Sequence, residues 1–146
     1  MAYTFKKADH PLFIGEREYD TASDIRFTLF TSCIGVAVQN GQKVTGVHLS
    51  IYGTDGDKFD NTAAAEVAKL LGDKYEQALI LGKVEIWEKQ VYNAYTYLKS
   101  LLLVKPAIVG GPDGIYGARY QLDKFQGFQG AYFDYYETGD EQEDSE

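Results

Sequence analysis

The chain has 146 residues, 45% of them hydrophobic and 25% charged, which is typical of one globular domain with an ordinary core. Its net charge at pH 7 is −8 and it has no basic stripe, so nucleic acid is excluded as an expected partner. No segment approaches the roughly 18 consecutive apolar residues of a membrane-spanning helix, and the first residues lack the apolar stretch of a secretory signal.

Alternation of apolar residues predicts the strands, and their helical spacing predicts the helices. In chain order the predicted elements are a strand at 25–30, a hairpin from Cys33 to about Ile51, a loop at 53–57, a helix at 63–71, a strand at 78–87, a helix at about 88–104, short strands at 107–109 and 115–122, and a last strand at 131–136. We expect Asn61 or Thr62 to cap the first helix and Gly72 to end it. The apolar parity switches at Gly82, which indicates a bulge or bend there.

Strands outnumber helices in this pattern and a hairpin lies at its centre. The predicted fold class is therefore α+β, with mainly antiparallel sheets in sandwich-like layers and about two flanking helices. Residues 1–136 are expected to form a single domain. Residues 137–146 hold six acids and no bases, so we expect an acidic, disordered tail there.

The dipeptide Asn40-Gly41 lies between two alternating, β-branched runs. This is a strong hairpin signal, because a type I′ turn needs φ > 0 at both central residues. If these two residues form the turn, the only cysteine, Cys33, lies directly opposite His48. Cβ atoms in such a pair are about 4.5–5.5 Å apart, so a thiol and an imidazole would be within reach of one another.

The same register places Gly35 opposite Gly46 and predicts open space beside the pair. The opposite face of the hairpin is predicted to be the core side; it carries Ile34, Val36 and Val38 on one strand and Lys43, Thr45 and Val47 on the other. A β-bulge would shift the register by one residue and would place Cys33 opposite a different residue.

A cysteine nucleophile needs a neighbouring base, because a free thiol has a pKa of about 8.5 and the thiolate is the reactive form. His48 would be that base and would then protonate the leaving group. The backbone N–H of Cys33 would help to hold an oxyanion. A hydroxyl group of Thr28, Thr31 or Ser50 would orient the imidazole, and the sequence leaves these three open. The alternative is a buried structural cysteine beside a hydrogen-bonded histidine.

Other polar segments predict no ligand. One cysteine and two histidines do not give the spacing of a zinc site, and we expect neither a metal nor a cofactor. The acidic segment 55–60 lacks the glycine that a calcium loop requires, and the glycine-rich segment 110–114 lacks the ending of a phosphate loop. His10 precedes Pro11 in a polar segment and is predicted to lie on the surface. A single cysteine fits a reducing compartment.

Thr31 to Val38 resembles the Gly-Ser-Cys strand of the chemotaxis receptor glutamine deamidase family CheD, and Gly46 to Leu49 resembles that family's glycine-to-histidine strand. Less specific similarities are the helix at 61–71, the strand at 78–82 and the Gly-x-x-Gly-x-Arg stretch at 114–119. The cytotoxic necrotizing factor toxins, with a comparable separation between cysteine and histidine, are a second group that the chain resembles.

The resemblance implies a bacterial cysteine hydrolase that deamidates a glutamine of a protein substrate, without a cofactor. Its catalytic residues would be Cys33, His48 and Thr31. Such an enzyme is expected in the cytoplasm, or in a host cytosol if it is an effector. Thr31 stands where the family has glycine, and it would strain the turn if that glycine has φ > 0. The alternative function is a catalytically silent protein-binding module or adaptor on the same fold.

Overall fold

The computed structural model describes residues 3–130 and 136–137. Its strands are β1 (Lys6–Lys7), β2 (Glu18–Ala22), β3 (Asp24–Arg26), β4 (Ile34–Asn40), β5 (Lys43–Leu49), β6 (Gln77–Gly82), β7 (Ala107–Gly110), β8 (Ile115–Gln121), β9 (Lys124–Gly130) and β10 (Tyr136–Glu137). Its helices are α1 (Asn61–Leu71), α2 (Val84–Gln90) and α3 (Tyr92–Leu101). The strands form a six-stranded sheet in the order β1-β2-β5-β4-β6-β7 and a four-stranded sheet in the order β10-β9-β8-β3.

The six-stranded sheet is the middle of three layers. One of its faces packs against the helices, so that Val36 shares a buried cluster with Trp87 and Leu98. Its other face packs against the four-stranded sheet, so that Ala37 shares a second buried cluster with Tyr116. Neighbouring strands are antiparallel except for β1–β2 and β6–β7. The predicted α+β class with mostly antiparallel sheets is therefore confirmed.

The strand predicted at 78–87 is correct only as far as Gly82. The backbone of this glycine has φ of 112°, and β6 ends there. The residues that follow form α2, in which Trp87 is buried. The single helix predicted at 88–104 is also wrong: α2 and α3 are separated at Val91, whose φ of −140° and ψ of 48° are not helical. A short apolar run fits a strand and a helix equally well, and the break at Gly82 decided between them.

The N-cap of α1 is Asp60, so the prediction of Asn61 or Thr62 is wrong by one or two residues. The Asp60 Oδ1 atom accepts a hydrogen bond from Ala63 N at 2.8 Å. Gly72 ends the helix as predicted, with φ of 81°. Glycine adopts this left-handed conformation without steric cost, which explains its position after the last turn.

The strand predicted at 25–30 ends already at Arg26, and beyond it Phe27 and Phe30 pair with other segments only through isolated β-bridges. Strands β2 and β9 were not predicted at all. The turn before β9 uses Leu122 and Asp123, which have φ of 54° and 62°. Because neither residue is glycine, this hairpin lacks the usual sequence signal of a turn with positive φ.

The predicted last strand at 131–136 falls mainly outside the described residues, as does 138–146 of the predicted tail. The described part, Tyr136–Glu137, pairs with Gln129 and Phe128 of β9. None of the helices in the described residues is long and apolar enough to cross a membrane.

Candidate functional site

The hairpin of β4 and β5 is present, but its register differs from the predicted one by two residues. Asn40 pairs with Lys43, so Gly41 and Gln42 form the turn. Gly41 has φ of 60°, which fits a type II′ turn with glycine at its first central position. The predicted opposition of Cys33 and His48 is therefore wrong.

A shift of two residues keeps every side chain on its own face, because side chains alternate with period two. His48 lies opposite Gly35, and Cys33 precedes the first paired residue, Ile34, which lies opposite Leu49. Cys33 and His48 are consequently diagonal neighbours on one face of the sheet. Diagonal neighbours are about 7–8 Å apart between their Cα atoms, a distance that side chains can span.

The face that carries Cys33 and His48 is packed, and the prediction of open space beside the two glycines is wrong. A Cβ atom on Gly35 would lie 2.5 Å from Cε2 of Phe27, and one on Gly46 would overlap the side chain of Ile25. The glycines thus admit side chains from the four-stranded sheet and from the segment that follows β3. Both faces of the hairpin are buried, so the face with Ile34, Val36 and Val38 is one of two core sides.

Replacing Gly35 by alanine is expected to destabilise the fold by about 1–3 kcal/mol, because the new methyl group collides with the ring of Phe27. Urea unfolding measures the loss. A second substitution, Phe27→Leu, removes part of the colliding ring. We expect the double variant to lose less unfolding free energy than the two single variants lose together. Strict additivity of the two substitutions would contradict this account of the glycine.

The imidazole of His48 is fully buried, and a hydrogen bond at Nδ1 fixes its orientation. Its Nδ1 atom lies 2.8 Å from the carbonyl oxygen of Ile14, which can only accept, so Nδ1 carries the proton. The ring contacts those of Phe27 and Phe30, with centroids 5.7 Å and 4.7 Å away. Among the described residues Nε2 has no hydrogen-bond partner. Burial lowers the pKa of His48 to about 4, so the ring is neutral at pH 7 and Nε2 has a free lone pair.

The thiol of Cys33 is also buried, and its polar contact is with an acid. Its Sγ atom donates to Oε2 of Glu16 at 3.7 Å. Burial, followed by the negative charge of Glu16, raises the pKa of the Cys33 thiol to about 12. The thiol is therefore protonated at neutral pH, which is the reverse of the thiolate–imidazolium pair of many cysteine enzymes.

The chain just before Cys33 is held by helix α2. The indole Nε1 of Trp87 donates to the carbonyl oxygen of Ser32 at 2.9 Å. The backbone N–H of Lys83 donates to the carbonyl oxygen of Cys33 at 3.0 Å. Helix α2 and the residue that precedes it thus hold the backbone on both sides of the thiol. Thr31 is exposed, and its φ is not positive, since the only non-glycine residues of the described chain with positive φ are Arg17, Leu122 and Asp123. The strain expected at Thr31 is absent.

Of the three hydroxyl groups predicted to orient the imidazole, that of Thr28 contacts it, with Oγ1 3.5 Å from Nδ1. Ser50 is engaged elsewhere, because its Oγ accepts from Arg17 and donates to the carbonyl oxygen of Tyr52. Within the described residues, Thr31 makes no hydrogen bond to Cys33 or His48. The carbonyl of Ile14 and the carboxylate of Glu16 were missed, because neither a backbone oxygen nor a loop glutamate carries a sequence signal.

His48 is expected to make the fold less stable as the pH falls. The unfolded chain binds a proton near pH 6.5, whereas the folded chain binds it only near pH 4, so stability that is complete above pH 6.5 is lost between these values. The loss amounts to about 3 kcal/mol. The test is His48→Asn, whose amide still donates to Ile14, with urea unfolding measured at pH 7 and at pH 4.5. Between these two pH values the variant should lose about 2–3 kcal/mol less unfolding free energy than the wild type.

The matched control is His10→Asn, since His10 is the second histidine of the chain and is exposed. It should keep the full pH dependence of the wild type. Equal losses in the wild type and in His48→Asn would contradict the neutral, buried state of the ring.

The cavities of the described surface include two of more than 500 Å³. One of about 630 Å³ is lined by Gly82, Lys83 and neighbouring residues at the ends of β6 and β7, and one of about 560 Å³ lies between the N-terminal ends of α1 and α3. Neither is lined by Cys33 or His48. The described residues contain no group of three or more histidine, cysteine, aspartate or glutamate side chains that could hold a metal ion.

No protein-family model matches the chain, and no curated protein matches it. Among solved structures, the chain is similar to the C-terminal domain of CNFy from Yersinia pseudotuberculosis, with a TM-score of 0.40 and 8% sequence identity. The match covers 83% of this chain and 56% of that chain, so this protein spans little more than half the length of its structural neighbour. A similarity this distant assigns no role to any residue.

Proposed function

We propose that the protein is a cysteine-dependent protein-glutamine deamidase in which Cys33 is the nucleophile and His48 the general base. The observation that carries the proposal is the arrangement of the His48 ring. Its Nδ1–H is held by the carbonyl of Ile14, while Nε2 keeps its lone pair and has no partner among the described residues. A neutral imidazole fixed in this tautomer is the form that accepts a proton from a nucleophile.

Two further features support the assignment. Cys33 shares the face of the sheet on which His48 lies, and the segments around both residues resemble those of the CheD family. Thr31 lies two residues before the thiol with its side chain exposed, where it can contact a substrate. We therefore keep Thr31 in the proposed site as a substrate-facing residue, while the carbonyl of Ile14 orients the imidazole.

In the proposed reaction, the thiol proton of Cys33 turns away from Oε2 of Glu16 and passes to Nε2 of His48, while Sγ attacks the carbon of a glutamine side-chain amide. The C–N bond then breaks, and Nε2 returns the proton to the nitrogen, which leaves as ammonia. A water molecule gives a proton to Nε2 as its oxygen attacks the thioester. The C–S bond breaks, glutamate is released and the thiol is restored. Because the thiol begins protonated, its deprotonation and attack occur together.

The test is mass spectrometry of candidate proteins incubated with the purified chain. Conversion of an amide to an acid adds about one mass unit at a glutamine and releases one ammonia for each site modified. We expect both signals to grow together with time. Ammonia release without a modified glutamine, or no modification in bacterial or host-cell lysates at any enzyme concentration, would contradict the proposal.

The second candidate function is a silent protein-binding module on the same fold. The specific observation in its favour is that the Cys33 side chain is only 2% exposed and that burial raises its pKa to about 12. In that case iodoacetamide should modify Cys33 only after the protein is unfolded. A deamidase instead requires that iodoacetamide modify Cys33 in the folded protein, because the thiol must be reached by a substrate amide.

A further inference from the structure

We propose that Glu16 determines substrate specificity at Cys33, by accepting an N–H group from a primary carboxamide and by disfavouring an anionic group at the same position. This inference rests on the proposed function, because it names the chemical group that the thiol would meet. Glu16 would thus favour binding of the glutamine side chain and release of the glutamate product.

The carboxylate of Glu16 lies beside the thiol. Glu16 Oε2 lies 3.7 Å from Sγ of Cys33, so a carboxamide whose carbon is attacked by this sulfur would bring its nitrogen close to the carboxylate. An ionised carboxylate only accepts hydrogen bonds, whereas the nitrogen of a primary carboxamide offers two donors. A carboxylate product has no donor and carries the same charge as Glu16, so it is repelled.

The position of Glu16 is held by the fold. Its other oxygen, Oε1, lies 3.3 Å from Nη1 of Arg17, and that guanidinium donates to Oγ of Ser50 at 2.7 Å. Two hydrogen bonds between Gly15 and Glu18 close the loop. The backbone N–H of Gly15 donates to Oε1 of Glu18 at 2.8 Å, and the backbone N–H of Glu18 donates to the carbonyl oxygen of Gly15 at 3.0 Å. The carboxylate therefore belongs to an anchored turn.

The carboxylate of Glu16 is accessible from solvent. The side chain of Glu16 is 53% exposed, so a substrate arriving from solvent meets it before the buried thiol. The same turn begins next to Ile14, whose carbonyl holds Nδ1 of His48. One loop therefore positions both the acceptor for the substrate amide and the imidazole whose buried Nε2 lacks a partner among the described residues.

The experiment compares alkylation rates of Cys33 in the folded protein with three reagents of similar size. These are iodoacetamide, which has two N–H donors, its N,N-dimethyl analogue, which has none, and iodoacetate, which is an anion. Each rate is divided by that of N-acetylcysteine with the same reagent. All three reagents react with the same thiolate, so the ratios between them cancel any change in the thiol pKa.

In the wild-type protein we expect the rate relative to N-acetylcysteine to be about tenfold higher with iodoacetamide than with iodoacetate. The difference between iodoacetamide and the dimethyl analogue should be smaller. Glu16→Gln should bring the preference over iodoacetate close to that of the free thiol. The matched control is Glu85→Gln on α2, an exposed glutamate outside the loop, which should behave as wild type.

An unchanged preference in Glu16→Gln, or a folded wild-type protein that no reagent modifies, would overturn the proposal. The proposed function fails separately. If Glu16→Gln loses the preference but no glutamine is ever deamidated, the role of Glu16 beside the thiol is supported and the deamidase is rejected. If glutamines are deamidated while the preference is unchanged, the deamidase stands and the role of Glu16 is rejected.

Discussion

Replacing Cys33 by serine is expected to abolish glutamine deamidation, with a loss of about a thousandfold or more. The hydroxyl of serine is a far weaker acid than a thiol, and a neutral imidazole whose pKa is lowered to about 4 is a weak base for it. The measurement is the rate of ammonia release together with the gain of mass at the modified glutamine.

The substitution changes volume little and the serine hydroxyl can donate to Glu16 as the thiol does, so Cys33→Ser should lose at most about 1–2 kcal/mol of stability and remain folded in the assay. His48→Asn is the companion variant, because it keeps the donor to Ile14 but removes Nε2. It should lose about 100- to 10,000-fold in rate, the usual contribution of a general base. Deamidation at the wild-type rate by Cys33→Ser would show that a different group performs the chemistry.

Replacing Trp87 by alanine is expected to cost about 3–5 kcal/mol of folding stability, because a fully buried aromatic ring leaves a cavity. The indole packs against Phe59 and Tyr95, with ring centroids 5.0 Å and 6.3 Å away. It also donates to the carbonyl oxygen of Ser32, which the alanine variant would leave buried without this partner. Urea unfolding gives the loss of unfolding free energy from the shift of the midpoint, provided that the dependence of free energy on urea concentration is the same in both proteins.

Trp87→Phe separates packing from hydrogen bonding, since it keeps most of the ring and removes the donor. We expect a smaller loss of about 1–3 kcal/mol, the cost of leaving one buried carbonyl without its partner. Tyr97→Ala on α3 is the control, because that aromatic ring is 38% exposed and should change stability by at most about 0.5 kcal/mol. A loss in Trp87→Ala no larger than in this control would contradict the central place of the indole in the helical layer.

The hairpin illustrates what local sequence can and cannot predict. Asn40-Gly41 correctly marked the position of the turn between β4 and β5, because positive φ at Gly41 is a local requirement. It did not specify the turn type, since a type II′ turn uses Gly41 and Gln42 and a type I′ turn would use Asn40 and Gly41. The two choices differ by two residues in register, and this is why the shared face of Cys33 and His48 was predicted correctly while their direct opposition was not.

The two hairpin glycines illustrate a second limit. A glycine at a fixed place in a strand is consistent either with open space or with the close approach of another element. At Gly35 the second explanation is correct, because the ring of Phe27 occupies the position where a side chain would be. No property of the residues around Gly35 specifies which ring will approach it.

The α+β class, the helix that Gly72 ends, the central hairpin and the common face of its cysteine and histidine follow from the sequence, because each depends on periodicity or on local backbone preferences. The tertiary structure alone decided the surroundings of that face. Ile14 reaches His48, Glu16 reaches Cys33 and Trp87 reaches Ser32 across 17 to 55 residues of chain. Such contacts follow from how the sheets and helices pack, and this packing also buries the thiol and the imidazole and shifts both of their pKa values.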